Sequence, residues 1–469
     1  MRGKAKKSVW NRLLLNITAF RKSRLFEADP MIHQEQLLLR LLKSCRNTMF
    51  GNMHGFSSIR SSRQFLTDIP LMSYSDLKPY IDKILEGRNN ILFPGRPMCF
   101  GVTTGTEGQP KLIPLNRSLL RSTRLAAIDS ALLGSLHHGS ILWHRGKTLY
   151  VGPRKEQLMG KWKVFSEGTA FIYLQAKPLR ARFVPKYEAL PHQGEKNDYN
   201  FLGGCVSRYP VKSIAGNPLE IVDFVCNAQT VMPDVEIVIN CGYWAVDHEH
   251  IYKKAFPNAT VIDIYGSNEG ICGLPVSFGR FILNYRRIFF SFIPLGSEGE
   301  VVSLEQVETG RKYQLCVTTC GGLWNYPTGD VVCFEGLRPP IFVLCGRNRH
   351  ILPLEGGWLT ENEVVSAVRK AGTRSQKYYL SPETKRCVLY VDGQIPEAED
   401  VDRNLCQMNM AYKRLRALGE LEPLIVRRTN IVSEDRTKSV RIKTKSEFKG
   451  DRYETYIPSD QNKHLPRVS

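Results

Sequence analysis

The sequence has no apolar run long enough to span a bilayer; the stretch Phe289 to Leu295 is too brief and follows Arg286 and Arg287. It has no CxxC pair, and its twelve cysteines are scattered along 469 residues. Cys316 and Cys320 stand four apart in an apolar, strand-like run, which is poor zinc spacing, and His137-His138 and His248/His250 have no partners at ligand distance in sequence. Neither a disulfide scaffold nor a structural metal is expected, and the thiols read as reduced core residues of a cytoplasmic protein. No internal repeat is visible. Acid is scarce relative to base: 45 Asp and Glu against 65 Lys and Arg give a net charge of +20. The excess is diffuse, without a long basic run or an aromatic-basic ladder, so nucleic acid is not an expected partner. A spread positive field suits the phosphates of a small ligand instead.

What is present is ordinary globular composition, 42% hydrophobic and 23% charged, which excludes a disordered chain or a fibre. The length suggests two or three domains. The first 24 residues carry eight Lys or Arg and no acid, yet Arg12 and Asn16 interrupt the apolar part and no small-residue cleavage site follows. Trp10, Leu13, Leu14, Ile17 and Phe20 recur at helical spacing and predict an amphipathic helix, docked on the protein or on a membrane surface; no integral membrane association is expected.

Helical periodicity predicts helices over Gln34 to Cys45, Ser75 to Glu86 and Ser118 to Leu133, and Ser61 with Gln64 reads as a capping box. A β-α-β unit is predicted at Val235 to Tyr265: VEIVINC as a buried strand, Ala245 to Ala255 as helix, ATVIDIY as the next strand. YQLCVTT is a further strand, ending in a turn GGLWNYPTGD before VVCFEG. Alternating strands and helices imply an α/β fold with a mixed, largely parallel sheet, in which ligands sit beyond the carboxyl ends of strands. New periodicity begins after Leu344 to Arg349: a helix over Glu361 to Lys370, a strand over Cys387 to Asp392 and one long helix over Val401 to Leu418, then a polar, basic tail.

Three polar motifs occupy strand ends. The first, Thr103-Thr104-Gly105-Thr106-Glu107-Gly108-Gln109-Pro110-Lys111, has the hydroxyls, glycines and cation of a phosphate cradle, without the GKS/T ending of a Walker loop. The second, Tyr265-Gly266-Ser267-Asn268-Glu269-Gly270, offers an aromatic to stack on a purine and a hard oxygen ligand suited to Mg²⁺. The third, Tyr326-Pro327-Thr328-Gly329-Asp330, places a carboxylate beside a glycine, able to accept two ribose hydroxyls. Each motif alone reads equally as a turn or polar loop.

Together, in this order, the motifs resemble those of the adenylate-forming enzymes, and within them the Gretchen Hagen family of acyl-acid amido synthetases of auxin and jasmonate conjugation. QEQLLLRLLKSCRNTMFGNMHGF, IPLMSYSDLKPYIDKILEG and MNMAYKRLRALGELEPLIV are similar to family segments, especially bacterial ones. The resemblance implies a large N-terminal adenylate-forming domain (1–345) and a smaller α+β C-terminal lid domain (346–469). It implies a ligase that uses ATP and Mg²⁺ to adenylate a carboxylic acid and passes the acyl group to an amine, with an amino acid as the expected acceptor. Thr103, Thr104, Thr106 and Lys111 would hold phosphates and Glu269 the Mg²⁺. Tyr265 would face adenine across Gly266, Ser267 would lie near the adenylate, and Asp330 with Arg347 would hold the ribose. Lys443 or Lys445 would supply a lid cation. Five features depart from the pattern: Asn268 replaces a second Ser, Asn325 stands where an Arg is common, Pro327 replaces Arg, Gly356-Gly357-Trp358 replaces a Gly-Glu pair, and Lys443-Thr444-Lys445 is the nearest match to a Lys-x-Pro-Arg signature. Two alternatives stay open: a thioester-forming synthetase, and an inactive adenylate-fold protein acting as a binding partner.

Overall fold

A computed structural model describes residues 26–429 except 104–110, 138–145, 153–155, 167–181, 187–188, 191–197, 229–230, 242–248, 298, 373–376 and 384, together with Asn16, Ala19, Phe20, Lys22 and Ser23. Most of the expected N-terminal helix lies outside these residues. The chain divides into two compact units, one of residues 1–328 with 332–343, the other of 329–331 with 344–469. No helix among the described residues is long and apolar enough to cross a membrane. All twelve cysteines are free thiols, and burial pushes Cys320 and Cys387 up to about 12.

In the first unit the helix Pro30–Cys45 starts because Asp29 accepts hydrogen bonds from the Met31 and Ile32 amides and Pro30 needs no donor partner. Its buried face is leucine-rich, but its tightest tie is polar. Gln34 donates through Nε2 to the carbonyls of Tyr285 (2.6 Å) and Ile288 (2.8 Å) and accepts from the Phe290 amide at 2.7 Å. The helix Tyr74–Leu85 opens with a complete Ser73/Asp76 capping box. The box expected at Ser61 is half made: Ser61 accepts from the Gln64 amide, whereas the Gln64 side chain reaches past it to the Arg60 amide at 2.9 Å.

A twelve-stranded sheet spans much of this unit. Its parallel part runs Phe183–Val184, Lys147–Val151, Val211–Gly216, Ile237–Cys241, Thr260–Ser267. Gly270–Ser277, Arg280–Leu283 and Pro340–Arg347 follow antiparallel, and Phe289–Pro294 is antiparallel to both Val302–Ser303 and Lys312–Thr318. In this sheet the strands up to Ser267, where the β-α-β pattern lies, pair in parallel. The helix Arg117–His137 packs on Thr260–Ser267 so closely that a Cβ on Gly134 would fall 2.1 Å from Ile262 Cδ1. Arg287 and Asp129 tie the same helix to the chain before Phe289 at 2.5 Å.

Two expectations need correction. Tyr326-Pro327-Thr328-Gly329-Asp330 is not a turn; it opens the strand Tyr326–Leu337. The reversal comes earlier, where the Thr319 amide donates to the Leu323 carbonyl and Gly322 takes φ +90°. The second correction is Val401 to Leu418, which forms two helices, Ala398–Met408 and Met410–Ala417. Asn409 breaks them: its backbone is extended, Oδ1 accepts from the Tyr412 amide, and Nδ2 donates to the Trp358 carbonyl at 2.8 Å. In this second unit the helix Glu361–Lys370 and the strands Lys377–Pro382, Cys387–Asp392 and Ile425–Arg428 share an apolar core that includes Val364, Leu389 and Tyr412.

Asn325 has φ +45°, a left-handed conformation that Asn tolerates better than most residues. It is fully buried. Nδ2 donates to the Ile69 carbonyl (3.1 Å), Oδ1 accepts from the Ser291 hydroxyl (2.7 Å), and its amide donates to Thr318 Oγ1 (2.8 Å). Asn325→Ala removes the two side-chain bonds, orphans their partners and adds backbone strain. We expect a loss of about 3–5 kcal/mol in urea unfolding; a variant within about 1 kcal/mol of the parent would refute this account.

The β-α-β unit encloses a second polar network. Asp263 accepts from Asn240 Nδ2 (2.8 Å) and the Gly279 amide (3.0 Å), and the Tyr252 hydroxyl donates to Asn240 Oδ1 (2.9 Å). Burial raises the Asp263 carboxyl from 3.8 to about 6, against these hydrogen bonds. Because the folded value lies above the unfolded one, the stabilisation is full below the unfolded value and is lost as pH rises through about 6. The stability of the parent relative to Asp263→Asn should therefore fall by roughly 2–3 kcal/mol from about pH 4 to about pH 7. A pH-independent difference would show that Asp263 titrates normally.

Candidate functional site

The first motif connects two paired strands. Cys99–Thr103 runs antiparallel to Lys111–Leu115, with Thr103 opposite Lys111. Thr104 and Thr106 lie outside the described residues, as do Lys443 and Lys445. The Leu112 amide donates to the Tyr74 hydroxyl at 2.8 Å, and Lys111 Nζ lies 5.8 Å from the centre of the Tyr74 ring. The exit of the motif is thereby anchored to the helix Tyr74–Leu85.

The second motif is a tight hairpin. Ser267 pairs with Gly270, leaving Asn268 and Glu269 as a two-residue loop. Gly270 takes φ +143°. The Glu269 carboxylate is buried, and its Oε2 accepts a hydrogen bond from the Ser267 hydroxyl; the Glu269 amide donates back to Ser267 Oγ at 3.3 Å. Gly266 permits close approach across the hairpin, since a Cβ there would meet Ile271 Cα at 3.0 Å. The Tyr265 ring is buried beside Phe281 and Phe342, with centroids 5.8 and 5.9 Å away.

Asn268 joins these two motifs. Its Nδ2 donates to the Val102 carbonyl at 2.8 Å, one residue before Thr103. Gly101 makes room for it: a Cβ there would lie 2.5 Å from Asn268 Cγ. In sequence Asn268 is visible only as an unusual residue in the motif; nothing marks Gly101 as its counterpart.

In the second unit, Asp330 and Arg347 form an ion pair, Nε to Oδ1 at 3.0 Å, with side chains 19% and 25% exposed. Arg347 is held at its backbone too, where its amide donates to Glu361 Oε2 at 3.1 Å. Glu361 is fully buried and lies 3.5 Å from His350 Nδ1. Gly346, at φ +132°, leaves space for that carboxylate; a Cβ would sit 2.8 Å from Glu361 Oε2. Periodicity marks Glu361 only as a helix start. Its position just after the Thr360 N-cap was the available hint that it faces backbone amides.

The chain matches the GH3 family N-terminal domain over residues 20–195 and the GH3 family central domain over residues 281–347. Between them these cover just over half of it. The indole-3-acetic acid-amido synthetase GH3.3 of Arabidopsis thaliana is 22% identical over 84% of this chain and 84% of its own length. The jasmonoyl-L-amino acid synthetase JAR4 of Nicotiana attenuata is 23% identical over 72% of this chain and 73% of its own. Among solved structures, the AtGH3.15 acyl acid amido synthetase in complex with 2,4-DB superposes with a TM-score of 0.69 at 16% identity, covering 89% of each chain. A 2-hydroxyisobutyryl-CoA ligase in its postadenylation state gives 0.61 at 12% identity, covering 90% of this chain and 92% of its own. At these identities the two structures establish the fold.

Proposed function

The chain belongs to the GH3 family, and on that premise we propose that it is an ATP-dependent acyl-acid amido synthetase acting in the cytoplasm on a carboxylic acid and an amino acid or related amine. The observation that carries this reading is the latch between Asn268 and Val102, which holds the start of the Thr/Gly motif against the turn bearing Glu269. A buried carboxylate held near the strand that leads into this motif is consistent with an adenylation step. We read 1–345 as the adenylate-forming domain and 346–469 as the family's smaller C-terminal domain.

In the first half-reaction a carboxylate oxygen of the acid forms a bond to the α-phosphorus of ATP, and the bond to pyrophosphate breaks. The barrier is dominated by charge on the transferring group, so positioned donors do most of the stabilising. Thr103, Thr104, Thr106 and Lys111 are assigned to the phosphates, with Ser267 near the adenylate, and Lys443 or Lys445 is the candidate cation of the C-terminal domain. Asp330, oriented by Arg347, is assigned to the ribose hydroxyls, and Tyr265 with Gly266 to the adenine side. Glu269 fits Mg²⁺ as a hard oxygen donor already oriented by Ser267. A Mg²⁺ there would be held by this carboxylate together with substrate phosphates and water. Bound there, Mg²⁺ would neutralise phosphate charge. In the second half-reaction the amine nitrogen bonds to the acyl carbon, AMP leaves, and the ammonium proton passes to a base or water.

Incubating the protein with ATP, Mg²⁺, a panel of acids, mixed amino acids and coenzyme A, and reading products by mass spectrometry, tests this directly. We expect amide and AMP; thioester as the sole product would replace the amide assignment while keeping adenylation. Asp330→Ala should weaken ATP binding by about thirty- to a thousand-fold, the worth of a charge-assisted pair of hydrogen bonds. Unchanged affinity by calorimetry would remove Asp330 from the ribose site.

A further inference from the structure

The turn bearing Glu269 contains an atom that the assignments above leave unused. Asn268 is only 6% exposed, and its Oδ1 is buried with no hydrogen-bond partner among the described residues. The amide cannot gain by flipping. Nδ2 is the atom that meets the Val102 carbonyl at 2.8 Å, and the reversed amide would set oxygen against oxygen. Gly101 leaves the space the carboxamide fills, since a Cβ there would lie 2.5 Å from Asn268 Cγ. The hydrogen bond to Val102, in a pocket of space that Gly101 leaves free, holds a bare acceptor in place. An amide oxygen left unpaired in the interior forfeits its hydration, so a fixed one calls for a donor.

We propose that Asn268 is a specificity-determining residue whose Oδ1 accepts a hydrogen bond from a substrate N–H group. This rests on the amido-synthetase reading. Among that reaction's components, phosphate and ionised carboxylate oxygens have no proton to give and would be repelled by Oδ1. A thiol is a weak donor. Two components carry N–H donors whatever the acid: the 6-amino group of adenine and the incoming amine; the ribose hydroxyls are already assigned to Asp330. Both present the same chemistry to Oδ1, and kinetics separates them. A hydroxyl residue at this position would both donate and accept, and so would tolerate a phosphate oxygen; the carboxamide, with its donor already committed to Val102, does not.

The experiment compares the full-length parent with Asn268→Ala and Asn268→Asp. Asp keeps an acceptor oxygen but loses the donor to Val102, so it separates the acceptor role from the latch. With an acid accepted in the product assay, pyrophosphate exchange is measured with ATP and with ITP, which lacks the 6-amino donor, and KM is measured for the amine. If adenine is the donor, the parent prefers ATP, and Asn268→Ala reduces that preference about ten-fold or more while Asn268→Asp retains it. If the amine is the donor, Asn268→Ala raises its KM about ten-fold or more, Asn268→Asp does not, and the ATP/ITP ratio stays at the parent value. Both results support the proposal. It is overturned if the ATP/ITP ratio and the amine KM are unmoved in Asn268→Ala, if Ala and Asp behave alike, or if kcat falls equally for every substrate; Asn268 is then a latch and no more. A parent inactive with every acid overturns the amido-synthetase reading itself, and this inference with it.

Discussion

The strand Cys99–Thr103 and the hairpin turn at Asn268 and Glu269 belong to different sheets, and the hydrogen bond from Asn268 Nδ2 to the Val102 carbonyl joins them. Parallel and antiparallel ladders fix spacing within a sheet but not between sheets, where side chains must do so. Apolar packing would leave some freedom to slide. A buried amide does not, because any slip breaks its hydrogen bond without water to replace it. Gly101 completes the constraint by removing the side chain that would hold the two segments apart. The placement of Glu269 relative to Val102 and Thr103 depends on this pair.

The same device recurs wherever segments distant in sequence meet. Gln34 joins the first long helix to three backbone groups between Tyr285 and Phe290. Asn325 gathers Ile69, Ser291 and Thr318 at a left-handed backbone position. In the second unit Asn409 caps one helix while gripping Trp358, and Glu361 takes the Arg347 amide beside the Asp330 ion pair. Each side chain satisfies main-chain groups that irregular geometry would otherwise leave bare. The regular elements provide the core, and these amides and carboxylates set its registration.

What the sequence discloses follows from this division. Periodicity located the helices at Pro30–Cys45, Tyr74–Leu85, Arg117–His137 and Glu361–Lys370, and the strands Ile237–Cys241, Thr260–Ser267 and Cys387–Asp392, within a few residues. Burial on one face leaves a repeating trace in sequence, and that trace is local. The errors fell where a polar side chain acts across a long sequence distance. Asn409 looks like one more helix residue until Trp358 is known to lie against it. Gly329 in Tyr326–Leu337 looked like a turn glycine, because nothing local shows that the reversal is complete by Leu323. The three motifs stand out by their composition, though the third reads as a turn and forms a strand. The contact joining the first two was not, since Gly101 and Asn268 are separated by most of a domain.

The departures from the family pattern take on a different meaning in this light. A motif losing its function is expected to lose polar partners as well, leaving buried groups unmatched or replaced by apolar ones. Asn325 does the opposite: its side-chain nitrogen, side-chain oxygen and amide all have partners, and its conformation suits Asn. Asn268 is likewise built in, with a donor bonded to Val102 and a glycine opposite that accommodates its size. Asn268 and the missing Cβ at 101 are complementary, since a Cβ there would fall 2.5 Å from Asn268 Cγ. On the reading proposed above, the carboxamide at 268 would alter what the turn presents to a ligand while keeping the turn's position, which is how a site changes its preference without losing its scaffold.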